Sequence, residues 1–284
     1  MFAAITDRQW LWLAAAFYLG GFLLGTWSLW RRGRPSGAAV YTLTAIGYLL
    51  QLVGLGLRGQ AVGGCPLGNA FEIYQFTAWS AITLYLVVGV AFRSSVLGYF
   101  TAGLAATVTL ISLAFPAWDA EHRAKIFGDN PWIELHAALA LFSYGVLALL
   151  ALTSLMLLLR NFSLKSKHLG GFFAVLPSMV DLDHIGVRLL ATAVFLLAAS
   201  LVMGSVYWLR EPGSVDPAKL LLTIAVWLAS LIAFILRWRG QLLAKRFAWT
   251  GLTLFAAAML SLSAVDASRH PVSTPPPQIV PRQP

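Results

Sequence analysis

Eight apolar runs follow one another along this chain of 284 residues, at roughly 10–30, 37–57, 71–92, 96–115, 132–159, 187–208, 218–236 and 245–264. Each is long enough to cross about 30 Å of hydrocarbon as a helix. No polar stretch between them much exceeds about 20 residues, so a folded soluble domain has no room. Only 11% of the residues are charged, against about 25% in a soluble domain. The expected fold class is therefore all-α: a polytopic membrane helical bundle of about eight transmembrane helices over residues 1–266. Residues 267–284 are Pro-rich and lack apolar periodicity, and a disordered tail is expected there.

A net charge of +9 would suggest nucleic acid in a soluble protein. In a membrane chain, basic residues instead mark the cytoplasmic connections, so membrane lipid and no nucleic acid is the expected partner. With the amino terminus outside, the inner connections hold Arg31, Arg32, Arg34, Arg93, Arg160, Lys165, Lys167, Arg188, Arg237, Arg239, Lys245 and Arg246, with only Asp181 and Asp183 as acids. The inverted arrangement puts the other nine of the 11 acids inside, so both termini are expected outside. The first apolar run precedes Arg31, Arg32 and Arg34, the reverse of a cleavable signal's order. The single cysteine, Cys65, excludes an internal disulfide and a Cys-x-x-Cys-His haem-attachment site.

Chemistry-bearing residues concentrate at the outer face on this topology. The stretch Pro131-Trp132-Ile133-Glu134-Leu135-His136 opens a run to Leu159 that carries no charge after His136. His270 follows the last run, and the turn-rich loop 209–217 can sit near both histidines. Arg58, Arg210 and Lys219 lie on the same side. Two imidazoles, apolar walls and cations for propionates suit a haem with no open coordination position. The alternatives are His136 paired with Glu134 or a backbone carbonyl, and His270 solvated at the start of a tail. Two histidines are too few for a typical zinc site. His122 reads as a solvated loop residue. His168 and His184 fall on the inner side, about 30 Å from His136.

Other polar residues have structural readings. Glu72 and Gln75 share a helix face at the membrane edge, either towards a cavity or, for Glu72, as the capping partner of Asn69. Asp183 can pair with Arg188 at the end of an inner loop over 160–186. Gly21-x-x-x-Gly25 can admit a close neighbouring helix. Runs 1, 2, 4 and 8 read as offering only small polar residues such as Thr42, Thr44, Thr107 and Thr109, which argues against an ion path.

Taken in order, several segments resemble the cytochrome c assembly family, in its CcsA/HemX-like branch. Pro66-Leu67-x-Asn69-x-Phe71-Glu72 with Ala78-Trp79 is similar to the family's Pro-Leu-x-Asn-x-Tyr-Glu segment and its downstream Ala-Trp. Leu135-His136 with Ser143-Tyr144, Leu176-Pro177-Ser178 with Leu182-Asp183 and Arg188, Asp216-Pro217-x-Lys219, and Arg269-His270 resemble later family segments. The resemblance implies a haem-handling multi-pass protein of the bacterial cytoplasmic (inner) membrane. It also implies non-covalent haem b ligated by His136 and His270, with Trp208, Asp216, Arg210, Lys219, Trp79 and Glu72 around the cofactor. Other cytochrome c assembly proteins, or an enzyme of tetrapyrrole synthesis, would be the partners. Departures from the family pattern stand at Gly213 and Val215, where its loop has tryptophans, at Leu220 for a glutamate, and at Ile235, near a buried histidine. They put haem-attachment activity in doubt, so an assembly factor is expected in place of an enzyme. The alternative is a HemX-type regulator or scaffold of tetrapyrrole synthesis, acting through the inner loop without haem chemistry of its own.

Overall fold

The structure is a computed structural model and describes residues 5–31, 37–92, 95–120, 130–167, 173, 176–210 and 217–267. The described residues form helices and no strand: α1 (Asp7–Trp30), α2 (Gly37–Val62), α3 (Ala70–Phe92), α4 (Ser95–Ala114), α5 (Pro131–Lys165), α6 (Met179–Arg210), α7 (Pro217–Trp238) and α8 (Ala244–Ala267), with a 3-10 turn at Pro116–Asp119. Helices satisfy every interior backbone N–H and C=O within one segment, which lipid cannot do. By length and apolarity, α1, α2, α5, α6 and α7 each suffice to cross a membrane, so the chain is a multi-pass membrane protein.

Local signals set the ends. Asn130 caps α5 by accepting the Trp132 N–H, with Pro131 at the first helical position. Arg237 and Gly240 close α7 in a Schellman motif, Gly240 N–H to Arg237 C=O at 3.0 Å and Gln241 N–H to Leu236 C=O at 2.9 Å. Gly240 takes the left-handed φ of 72° that this ending needs. Helix α6 begins eight residues before the apolar run expected at 187–208. Ser178 and Asp181 form a cap there: the Asp181 N–H donates to Ser178 Oγ (3.1 Å), and Ser178 Oγ–H donates to Asp181 Oδ2 (2.6 Å). The inner loop expected at 160–186 shrinks accordingly, and Asp183 and His184 become helical. Asp183 takes Arg237 of α7 as its partner, in place of the expected Arg188.

The helices pack as two sets of four, α1–α4 and α5–α8, joined where α3 meets α5. Between helices in lipid, close backbone approach replaces hydrophobic drive. Gly145 of α5 lies so near α3 that a Cβ there would strike Ser80. Gly21 and Gly25 fulfil their expected role, facing Ala102 and Tyr99 of α4. Helix α5 is the most buried of the candidate spans, while α6 and α7 keep broad exposed apolar faces such as Phe195, Val202, Leu221 and Ile232. A chain of polar side chains ties α1–α4 together near the start of α3 and the end of α4. Tyr18 Oη–H donates to Gln51 Oε1 (2.8 Å), Gln51 Nε2–H to Gln75 Oε1 (2.8 Å), and Gln75 Nε2–H to Ser112 Oγ (2.8 Å). All four are 0% exposed, so run 2 holds a fully sequestered amide beyond the small polar residues read from it.

Candidate functional site

The end of the bundle where α1, α3 and α5 begin, and α2, α4 and α6 finish, is here the upper rim. His136 sits in the second turn of α5, facing the last third of α6. Its Nδ1 lies 2.6 Å from the Ser200 carbonyl oxygen and 3.1 Å from Ser200 Oγ, and Ser200 Oγ–H donates to the His136 carbonyl at 3.0 Å. A carbonyl oxygen only accepts, so Nδ1 carries the hydrogen, and Nε2 of the neutral ring presents a lone pair. Among the described residues no side chain takes Nε2. This is the backbone-carbonyl partner foreseen for His136, while Glu134 turns towards the α2–α3 loop, accepting the Cys65 N–H at 3.4 Å.

The surroundings change sharply along α5. Leu141 to Leu157 is mostly buried, whereas Pro131 to Ala140 is half-buried or exposed throughout. Helices α3, α6 and α8 thus cover the lower part of α5 and leave its upper turns accessible. The resulting arrangement is one imidazole, oriented through Nδ1, beside an accessible apolar helix face. That is the donor set a macrocycle-bound iron uses from one side. Among the described residues, no group of three or more His, Cys, Asp or Glu is placed to hold a metal ion.

The neighbouring corner of the rim is ionic. Arg58 is 3% exposed and bonds Asp7 (2.7 Å), Asp119 (two contacts, one at 3.0 Å) and Glu72 (3.4 Å), while Arg8 bonds Asp119 at 2.9 Å. Phe71 lies beneath both guanidinium groups, 4.7 Å from Arg58 and 5.5 Å from Arg8. Glu72 keeps the capping geometry: its N–H donates to Asn69 Oδ1 (2.8 Å) and its Oε2 accepts the Gly68 N–H (2.6 Å). Glu72 is thus held in this corner, on the other half-bundle from His136. Between the corners lies the Cys65 thiol. Burial, then the Glu134 and Glu72 carboxylates, push it up to about 11.

Trp79 lies seven residues along α3 from Glu72, about 10 Å deeper. It stacks on Tyr48 (5.5 Å) and meets the edge of Phe142 of α5 (6.5 Å). Its indole N–H is buried with no partner among the described residues. Trp79 therefore packs in the α3–α5 seam. Trp208, Arg210 and Lys219 fall at the ends of α6 and α7, with side chains outside the described set. Asp216, His270, His122 and His168 lie outside the described residues altogether. Ser200 and Gly204, which seat His136, escaped the sequence reading. Small residues in a membrane helix were the available signal, too common to single them out.

The profile of the cytochrome C assembly protein family matches residues 67–269. The chain belongs to that family. The match runs from just before the Asn69 cap to one residue short of His270, and leaves α1 and α2 outside it. Protein HemX of Bacillus subtilis is 26% identical over 198 residues, spanning 69% of this chain and 68% of the relative. Protein HemX of Brevibacillus brevis is 26% identical over 216 residues, 76% of this chain and 75% of the relative. A cytochrome c biogenesis protein CcsA from Picosynechococcus is 31% identical over 106 residues, 36% of this chain and 31% of that protein. As a cytochrome c assembly family member, the chain keeps His136, Glu72 and Trp79 inside the matched segment.

Proposed function

We propose that this family member handles haem at the outer face of the bacterial cytoplasmic membrane in cytochrome c assembly. In this reading eight spans place both termini outside, His136 and His270 ligate a non-covalent b-type haem, and Arg210 and Lys219 meet its propionates. The observation that carries the reading is His136 itself. A half-buried imidazole has its Nδ1–H committed to Ser200, has no partner for Nε2 among the described residues, and lies on the accessible part of an otherwise buried helix. When bound, haem would supply an iron with both axial positions filled, suited to being held or handed on. Ser200 orients the ring, and the paired corner around Arg58 anchors the rim. Loss of the loop tryptophans at Gly213 and Val215 argues for carriage over attachment to a Cys-x-x-Cys-His acceptor.

The test is the absorption spectrum of protein purified from haem-replete membranes, alongside His136→Ala and His270→Ala. A low-spin spectrum lost in each single variant establishes the pair. Wild-type protein that carries no haem and takes up none on titration removes the reading.

A second reading, a HemX-type scaffold for an enzyme of tetrapyrrole synthesis, is favoured by the length of α5. Its 35 residues reach about 52 Å, beyond the roughly 40–45 Å of a whole bilayer. In this reading its lower end, with Arg160 and Lys165, reaches beyond the membrane towards the partner. Deleting residues 163–174 abolishes the phenotype in this case while His136→Ala leaves it intact; the opposite pattern eliminates the scaffold.

A further inference from the structure

On the haem-handling reading, we propose that Ser200 and Gly204 of α6 are positioning residues. They lock His136 as an Nε2 ligand and bias the bound iron towards its ferric form. Ser200 grips both parts of His136. Its carbonyl and hydroxyl oxygens share the Nδ1–H at 2.6 and 3.1 Å, and its own hydroxyl hydrogen goes to the His136 backbone carbonyl at 3.0 Å. With ring and main chain tied to one buried residue, 0% exposed, the imidazole cannot swing about its side-chain bonds without breaking contacts. Gly204, one turn further along α6, gives the ring its place. A Cβ there would come within 2.7 Å of His136 Cε1 and 2.8 Å of Nδ1. Any larger residue pushes the ring off the Ser200 carbonyl, because the glycine belongs to a rigid helix and the clashing atoms to a ring.

The chemical consequence follows from the short Nδ1–H···O=C bond. It draws the proton towards the carbonyl and raises electron density on the imidazole, making Nε2 a stronger donor. A stronger axial donor stabilises ferric over ferrous iron and lowers the midpoint potential. Loosening the seat is therefore expected to raise that potential before ligation is lost.

Full-length protein in nanodiscs is compared as wild type, Ser200→Ala, Gly204→Ala and, as control, Gly56→Ala. Gly56 is an exposed helical glycine with nothing within 4 Å of the added Cβ. Visible spectra and redox titrations are recorded for each. Ser200→Ala keeps the carbonyl bond and loses the two Oγ contacts that hold the ring and main chain in place, so the expected result is a small upward shift in midpoint potential with the low-spin bands retained. Gly204→Ala is expected to show a larger upward shift or lose those bands, and Gly56→Ala to match wild type. Should Gly204→Ala fail to fold, the potential of Ser200→Ala decides alone. If His136→Ala abolishes the spectrum while Ser200→Ala and Gly204→Ala keep the wild-type bands and potential, the seat is wrong and the ligand assignment stands. If wild-type protein binds no haem at all, the functional reading has failed and the seat falls with it.

Discussion

Arg58 and His136 occupy the same rim of one molecule under opposite conditions. Around Arg58, two guanidinium groups and three carboxylates are interlocked, and Arg58, Glu72 and Asp119 are nearly sealed from solvent. Around His136 the helix is half open, and one ring nitrogen is left without a partner among the described residues. A buried ion cluster is costly to disturb, since removing one member strands the others in a poor dielectric. A lone imidazole held by a backbone carbonyl is cheap to remove and chemically available. The difference separates what assembles the rim from what the rim presents.

The widest gap is expected in stability. Arg58→Met removes the cation shared by Asp119, Glu72 and Asp7, leaving Arg8 on Asp119, and is expected to lower unfolding free energy by about 3–5 kcal/mol, read in mixed-micelle denaturation. A loss under about 1 kcal/mol means the cluster is open to water, and the contrast collapses. His136→Ala gives up one neutral hydrogen-bonded contact, an expected cost of about 1 kcal/mol, while removing the haem spectrum entirely. If Arg58→Met erases the spectrum at unchanged stability, the two corners have exchanged roles. Next comes the polar chain below the ionic corner. Gln75→Leu is expected to cost about 0.6–2 kcal/mol in the same assay, because Gln51 and Ser112 keep other backbone partners. The smallest effect is chemical. Cys65 lies between the corners and its thiol is pushed up to about 11. Folded protein at pH 8 should alkylate about 100-fold more slowly than an ordinary thiol, rising tenfold per pH unit until that value is reached. Timed labelling with iodoacetamide measures it, and free-thiol kinetics at pH 8 would show that the loop does not lie against Glu134 and Glu72.

Much of the fold was legible, because each apolar run had to become a helix once surrounded by lipid. Where the reading slipped, a charge had been taken as a boundary. Asp181, Asp183 and His184 looked like loop, yet Ser178-x-x-Asp181 is a helix start, and a salt bridge to Arg237 makes Asp183 tolerable beside the membrane. Gln51 was passed over because its partners, Tyr18 and Gln75, lie on other helices. The site divides the same way. The Asn69–Glu72 cap is local, so spacing revealed it. The Ser200 clamp joins residues 64 apart and needs a fold to be seen. Nothing in spacing placed Trp79 at the seam with Phe142, because the two lie on different helices.

The α3–α5 seam has a consequence for how the protein can be made. Leu11, Ala15, Leu55, Phe71 and Leu113 form a core within the first four helices, while the larger core runs through the last four and reaches back into α3, the loop before it, and Phe100 and Leu104 of α4. The polypeptide crosses from one set to the other once, between Ala120 and Asn130. Two reading frames interrupted there encode pieces that each carry their own packing, with Gly145 and Ser80, Trp79 and Phe142 as the matching surfaces. The order of the helices thus keeps most packing within each half of the chain, with a single connection between them.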